Sequence, residues 1–296
     1  MKIKKLNKVI ALVGPTGSGK TEWAKKIAAK FNAKIISADS RQIYKGLDIG
    51  TGKDKSFRQD LIDIIEPTKK FTVWDYQKLA SDLINQYLQM KNLPVLVGGT
   101  GLYLYAVLYG YIIPNLQEES GKLRNNLEKL ENTELYEQLQ KIDPKAALKI
   151  DPKNKRRIIR ALEISLLTRQ PFSSLQKKRK PYYQILIIGI KTNRETLYSK
   201  IDARIDQMIK EGLVEEVRNL LKKYRADLPA LNTIGYKEII DYLNGRIELK
   251  EAILKTKNNT HDYVRRQETW FRKNKDIKWV SSYQEAEKLI SKFLKK

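Results

Sequence analysis

The chain has 296 residues, 41% hydrophobic and 31% charged, with 58 Lys and Arg against 34 Asp and Glu, a net charge of +24. This balance excludes a largely disordered chain, which cannot bury enough apolar surface to offset ordering entropy, and the length suits one large or two modest domains. Zero cysteines exclude a disulfide framework, a single histidine (His261) leaves little for a zinc centre, and no apolar run approaches the ~20 residues of a membrane span. The basic N-terminus leads into an apolar run that Gly14-Pro15 cuts short, too short for a signal peptide, so a cytoplasmic location is expected.

The positive charge is clustered. Residues 145–182 carry twelve basic side chains against two acidic ones, Asp151 and Glu163, and residues 255–278 carry eight against three. Residues 118–137 are mildly acidic. A clustered excess of this size repels itself in a compact fold and points to a polyanionic partner such as nucleic acid.

In chain order, residues 9–13 form a short apolar run ended by glycines, and 21–31 follow with helical spacing. Residues 34–38 and 61–65 read as short isoleucine-rich strands. Helical spacing returns at 75–90, and 94–97 is a buried-type strand running into Gly98-Gly99. This alternation predicts a parallel sheet with right-handed crossovers. From 117 to 181 strand signals vanish, then a strand returns at 184–190. Residues 194–224, 234–244 and 249–273 read as helices, with a last strand at 277–280. The expected class is α/β: a P-loop NTPase-like parallel-sheet core of residues 1–116 and 182–296, interrupted by a helical insertion domain at 117–181.

Gly14-Pro15-Thr16-Gly17-Ser18-Gly19-Lys20-Thr21 fits G-x-x-x-x-G-K-[ST] between a strand and a helix, the context this motif requires. Its glycines let successive N–H groups turn inward at a helix N-terminus. Lys20 adds a compact charge for an outer phosphate, and Thr21 offers a hydroxyl ligand for Mg²⁺. The loop implies two or more linked phosphates and leaves open whether they belong to a nucleotide such as ATP. A kinase or NTPase normally places an acid at the end of a later strand, but 94–97 ends in Gly98-Gly99-Thr100-Gly101. The nearest acid by pattern is Asp39, after the second strand, at the sheet edge where such folds bind ligands. It suits a general base, with a turn or cap aspartate as the structural alternative.

The run Asp39-Ser40-Arg41-Gln42-Ile43-Tyr44-Lys45-Gly46-Leu47-Asp48-Ile49-Gly50-Thr51 resembles the signature of tRNA dimethylallyltransferases. Similar blocks lie at 98–103, 157–163, 234–238 and 265–272, so the resemblance spans nearly the whole chain. Two features depart from it: Asp60 stands before Leu61-Ile62-Asp63 where a histidine is frequent, and no zinc-finger extension follows. The resemblance implies transfer of a dimethylallyl group from dimethylallyl diphosphate to N6 of adenosine 37 in tRNAs reading UNN codons. The implied enzyme is a cytoplasmic, Mg²⁺-dependent monomer. Residues 14–21 would hold the diphosphate, with Lys20 and a Thr21-bound Mg²⁺ stabilising its departure. Asp39 would be the catalytic base, acting on an adenine flipped out of its stack.

The same resemblance sets Asp39, Ser40, Arg41, Gln42, Thr100 and Arg124 against the tRNA, with Gln42 and Thr100 suited to read an adenine edge. Arg156, Arg157 and Arg160 share one side of a predicted helix beside Lys153 and Lys155, opposite Ile158, Ile159, Leu162 and Leu166, and suit phosphate contact. An Arg160–Glu163 surface pair is the alternative. Lys177-Lys178-Arg179-Lys180 with Tyr182 and Tyr183 suits backbone contact with stacking. Arg265 and Arg266 lie on a C-terminal helix whose Trp270 is expected in the core, and His261 reads as structural. Three rival readings are a P-loop small-molecule kinase, which explains neither the charge nor the insertion, an adenylate isopentenyltransferase, which needs no extended basic surface, and a non-enzymatic RNA-binding module, which leaves the phosphate loop and Asp39 idle.

Overall fold

The computed structural model describes residues 7–116, 120–175 and 183–295. The chain forms two compact units, Met1–Leu104 with Tyr182–Lys296, and Tyr105–Pro181. The first unit holds one parallel sheet of β1 (Asn7–Val13), β2 (Ala33–Ser37), β3 (Leu93–Gly98), β4 (Tyr183–Ile190) and β5 (Ile277–Val280), in the order β2-β3-β1-β4-β5. β1 is central, pairing Ile10 with Val95 on one side and Leu186 on the other. Residues 9–13 have no exposed surface, as a parallel strand covered on both faces requires.

The helices in the N-terminal part of this unit are α1 (Lys20–Phe31) and α2 (Val73–Gln89), with α3 (Gly101–Leu108) running on into the second unit. A reciprocal Thr72–Asp75 capping box starts α2, with Thr72 N donating to Asp75 Oδ2 at 2.7 Å. The second unit is helical: α4 (Ser120–Glu128), α5 (Asn132–Ile142), α6 (Pro144–Ala147), α7 (Lys155–Thr168) and α8 (Phe172–Leu175). Leu135, Leu139, Ile158, Ile159 and Leu162 form its core. Buried Asp143 caps α6 at Ala146 N and accepts from Ser173 N and Oγ at 2.7 Å, tying α8 to the same point. After β4 come α9 (Arg194–Lys210), α10 (Leu213–Leu221), α11 (Tyr236–Leu243), α12 (Leu249–Arg272) and α13 (Tyr283–Lys295).

Several sequence expectations change. The helical unit begins at Tyr105 rather than 117, because the apolar run through α3 offers no compositional edge at the boundary. Residues 61–65 form no strand: Leu61 and Asp63 have φ of 61° and 52°, which breaks the alternation a strand needs. Single bridges, Ile36 with Asp60 and Tyr44 with Ile65, hold that segment instead. The helix expected over 194–224 is two, split at Gly212 with φ of 101°. Trp270 is 40% exposed and Phe271 is the core residue, since one step along a helix turns the side chain by about 100°. Leu166, expected on the packed side of its helix, is likewise exposed. The cluster at 177–180 and Tyr182 lie outside the described residues.

Three strand ends converge at the carboxyl edge of the sheet. β1 enters the glycine loop, β2 continues into Ala38-Asp39, and β3 into Gly99-Thr100. Ala38 N donates to Val97 O at 2.7 Å and Thr100 N to Ala38 O at 3.2 Å. Gly98 permits this approach, because a Cβ there would run into the Ala38 backbone.

Candidate active site

Gly17 and Gly19 turn the loop after β1 with φ of 78° and 86°, a conformation that strains other residues. Lys20 opens α1 and folds back to donate from Nζ to Gly14 O and Pro15 O at 3.0 and 2.7 Å. Desolvation lowers its pKa to about 8, with Asp39 opposing the shift and Arg204 adding to it. Ser18 Oγ is buried with no hydrogen-bond partner among the described residues.

Asp39 follows β2. Its Oδ1 accepts from Arg41 N at 2.8 Å and Gln42 N at 3.4 Å, so the turn-capping role exists. Its carboxylate also lines a cavity of about 330 Å³, alongside Thr16, Ser40 and Arg41. It is the one carboxylate among the described lining residues. Ile201, Ile205, Met208, Leu213 and Ile234 give the cavity an apolar wall, and Arg204, Tyr263 and Arg266 add polar groups. Burial raises the Tyr263 phenol to about 12, Asp39 adding to the shift, and the hydroxyl hydrogen-bonds with Thr100.

Arg204 on α9 was not singled out from sequence. Desolvation lowers its pKa while Asp39 opposes the shift. Its guanidinium lies so close to Gly52 that a Cβ there would collide with it. The available signal was an arginine set between Ile201 and Met208 at helical spacing, a charge inside an apolar stripe. Glu216 was also missed. Its carboxylate accepts from Ile49 N at 2.7 Å and Tyr236 Oη at 2.6 Å, fixing the wall at Gly50 and Thr51.

The residues expected to contact tRNA are not all at one place. Asp39, Ser40, Arg41 and Arg266 line the cavity. Thr100 lies beneath them, its Oγ1 accepting from Ser40 N at 3.1 Å. Gln42 is engaged by its own loop, accepting from Ser37 Oγ and donating to Thr51 O, both at 3.3 Å. Arg265 is exposed, pairs with Asp262 and donates to Tyr198 Oη. Arg124, Arg156, Arg157 and Arg160 belong to the helical unit. Arg156 and Arg157 are exposed. Arg160 lies 3.3 Å from fully buried Glu163 and Arg124 lies 3.6 Å from it. His261 stacks on Tyr198 with ring centroids 4.0 Å apart and faces Asp202 at 2.9 Å.

No cluster of three or more His, Cys, Asp or Glu able to hold a metal occurs among the described residues. Mg²⁺ still fits this loop, because that ion keeps several waters and binds through few protein oxygens plus substrate phosphates. The Thr21 hydroxyl and the unpartnered Ser18 Oγ are the oxygens available.

A parallel sheet with a glycine phosphate loop at its carboxyl edge defines a P-loop-like α/β protein. Comparison with known proteins narrows the class. Residues 42–274 match the IPP transferase family model and 7–62 match the isopentenyl transferase model. A tRNA dimethylallyltransferase of Thermoanaerobacter sp. (strain X514) is 44% identical over 97% of both chains. The crystal structure of a tRNA delta(2)-isopentenylpyrophosphate transferase from Staphylococcus epidermidis is similar at a TM-score of 0.72, with 34% identity over 98% of this chain and 100% of that one. A eukaryotic dimethylallyltransferase acting on tRNA reaches 0.82, with 25% identity over 93% of this chain and 74% of that one. The chain belongs to the IPP transferase family.

Proposed function

We propose that the chain transfers a dimethylallyl group from dimethylallyl diphosphate to N6 of adenosine 37 in tRNAs reading UNN codons, releasing diphosphate. The observation that carries this reading is the cavity, where a lone carboxylate, Asp39, and an apolar wall meet beside the phosphate loop. Desolvated Lys20 and Arg204 together match the charge that grows on a departing diphosphate. The wall of Ile201, Ile205 and Met208 suits a five-carbon allyl group whose C1 gains cationic character as the C–O bond breaks. N6 attacks C1, and Asp39 receives the N6 proton, a step worth ~10²–10⁴ in rate. Mg²⁺, held by Thr21 and the diphosphate oxygens, would add positive charge at the leaving group.

The acceptor base must leave its stack to reach a cavity of this kind. Ser40, Arg41, Thr100, Arg265 and Arg266 are the proposed acceptor-side contacts on the sheet-containing unit. Arg156 and Arg157 provide backbone contacts on the helical unit, and Arg124 and Arg160, which share their charge with Glu163, border that face. Gln42 acts there by shaping the 39–52 loop. No helix among the described residues is long and apolar enough to cross a membrane. A cytoplasmic, monomeric enzyme completes the reading, and zero cysteines suit a reducing compartment.

The test offers labelled dimethylallyl diphosphate and Mg²⁺ with an unmodified anticodon stem-loop, and free AMP as the competing acceptor. Label in the stem-loop is the expected result. Label in AMP alone moves the chain to the adenylate branch, and ATP hydrolysis with no label in either overturns prenyl transfer.

A further inference from the structure

Gln267 sits on α12 between Val264 and Phe271, in a buried helical stripe shared with Ala252 and Thr256, and is 5% exposed. Its Oε1 accepts from Thr16 N of the phosphate loop at 2.9 Å, and its Nε2 donates to Gly99 O at 3.0 Å. Gly99 is shaped for this contact, since a Cβ there would collide with Nε2. The next residue, Thr100, accepts from Ser40 N, and Asp39 caps the turn that follows. One side-chain amide therefore ties the phosphate loop to the turn after β3, and that turn holds the Asp39 loop through the Thr100–Ser40 bond.

We infer that Gln267 is a positioning residue that sets the distance between the prenyl donor and Asp39. The inference rests on the prenyl-transfer reading. The chemistry is specific to an amide, because the site asks for one acceptor and one donor at fixed separation. An apolar replacement would fill the core yet leave Thr16 N and Gly99 O without partners, freeing two loops to drift. A misplacement of about 1 Å at reacting groups costs ~10²-fold in rate. Donor affinity rests on the remaining N–H groups of the phosphate loop and on Lys20, which Gln267 does not touch, and changes far less.

Glutamate provides the discriminating variant. As a carboxylate, Gln267→Glu keeps the acceptor for Thr16 and lacks the proton for Gly99 O. Once protonated it regains the donor, and desolvation raises its titration toward the assay range. The experiment measures kcat and donor KM for the wild type, Gln267→Leu and Gln267→Glu from pH 5.5 to 8, with melting temperatures recorded alongside. The expected result is a ~10²-fold loss of kcat in the folded leucine variant, with KM within about threefold. For glutamate, the ratio of variant to wild-type kcat rises as pH falls. A flat ratio, or kcat near wild type in either folded variant, overturns the inference. Should the leucine variant unfold, the glutamate ratio decides alone. A wild type that transfers no prenyl group overturns the parent reading, and the inference with it.

Discussion

At the phosphate loop and in the adjoining cavity of the sheet-containing unit, Lys20 and Arg204 are half-buried with both pKa values lowered by desolvation, and Asp39 is the one carboxylate among the described lining residues. In the helical unit, Arg156 and Arg157 face solvent, while Arg124 and Arg160 flank a glutamate with no exposed surface. The first arrangement concentrates charge at short range in a low dielectric, which suits the stabilisation of one anion in one geometry. The second divides its charge. Part neutralises Glu163 and supports the helix packing, and the rest forms a salt-screened field suited to a polyanion of any sequence. Net charge alone does not separate these roles; burial does.

The largest effect that would sharpen this contrast is structural. Replacing both Arg124 and Arg160 by alanine strands Glu163 and is expected to destabilise the helical unit by about 3 kcal/mol, the low end for a broken buried pair because water reaches the site. Chemical denaturation measures it, and an unchanged midpoint would mean the pair is no more than a surface contact. Arg204→Ala is expected to leave stability nearly intact and reduce the chemical step ~10²–10³-fold, as for loss of one charge-stabilising donor. A single-turnover rate within threefold of wild type would remove Arg204 from the leaving-group machinery.

A pH experiment probes the same cavity. Because the folded Lys20 titrates near 8 against 10.5 when free, its ammonium is lost as pH rises through 8. Inorganic pyrophosphate binding should weaken above that point by up to about tenfold per unit, with proton uptake on binding. For the unliganded fold the sign is reversed: between pH 8 and 10.5 the unfolded chain binds more protons, so this lysine makes stability rise with pH. Calorimetry in buffers of different ionisation enthalpy reads the uptake, and no uptake at pH 9 would contradict the placement of Lys20. The smallest effect belongs to the exposed face. Arg156→Ala should weaken stem-loop binding less than tenfold and lower the slope of log K against log salt by about 0.7–0.9.

These regions also differ in how far the sequence reveals them. The phosphate loop and Asp39 were legible because each is a local pattern: spaced glycines before a helix, and an acid just after a strand. Arg204, Glu216 and Gln267 act through partners far along the chain, such as Gln267 with Thr16 and Gly99, and no local spacing encodes such pairings. What sequence offered there was a polar residue between apolar ones at helical spacing, visible at Arg204 and at Gln267. Gln42 holds loop bonds to Ser37 and Thr51 that its place in the motif does not reveal. The segment at 61–65 failed because left-handed backbone at Leu61 and Asp63 leaves no trace in an isoleucine-rich run.

The most direct test of the account separates donor binding from proton transfer. Asp39→Asn keeps an acceptor oxygen for Arg41 N and Gln42 N, and removes the base. Single-turnover quench-flow with labelled dimethylallyl diphosphate and an anticodon stem-loop should show donor affinity within about threefold of wild type and a chemical step slowed by ~10²–10⁴. A chemical step of wild-type speed in this variant would contradict the assignment of Asp39 as the base and, with it, the reading of the cavity.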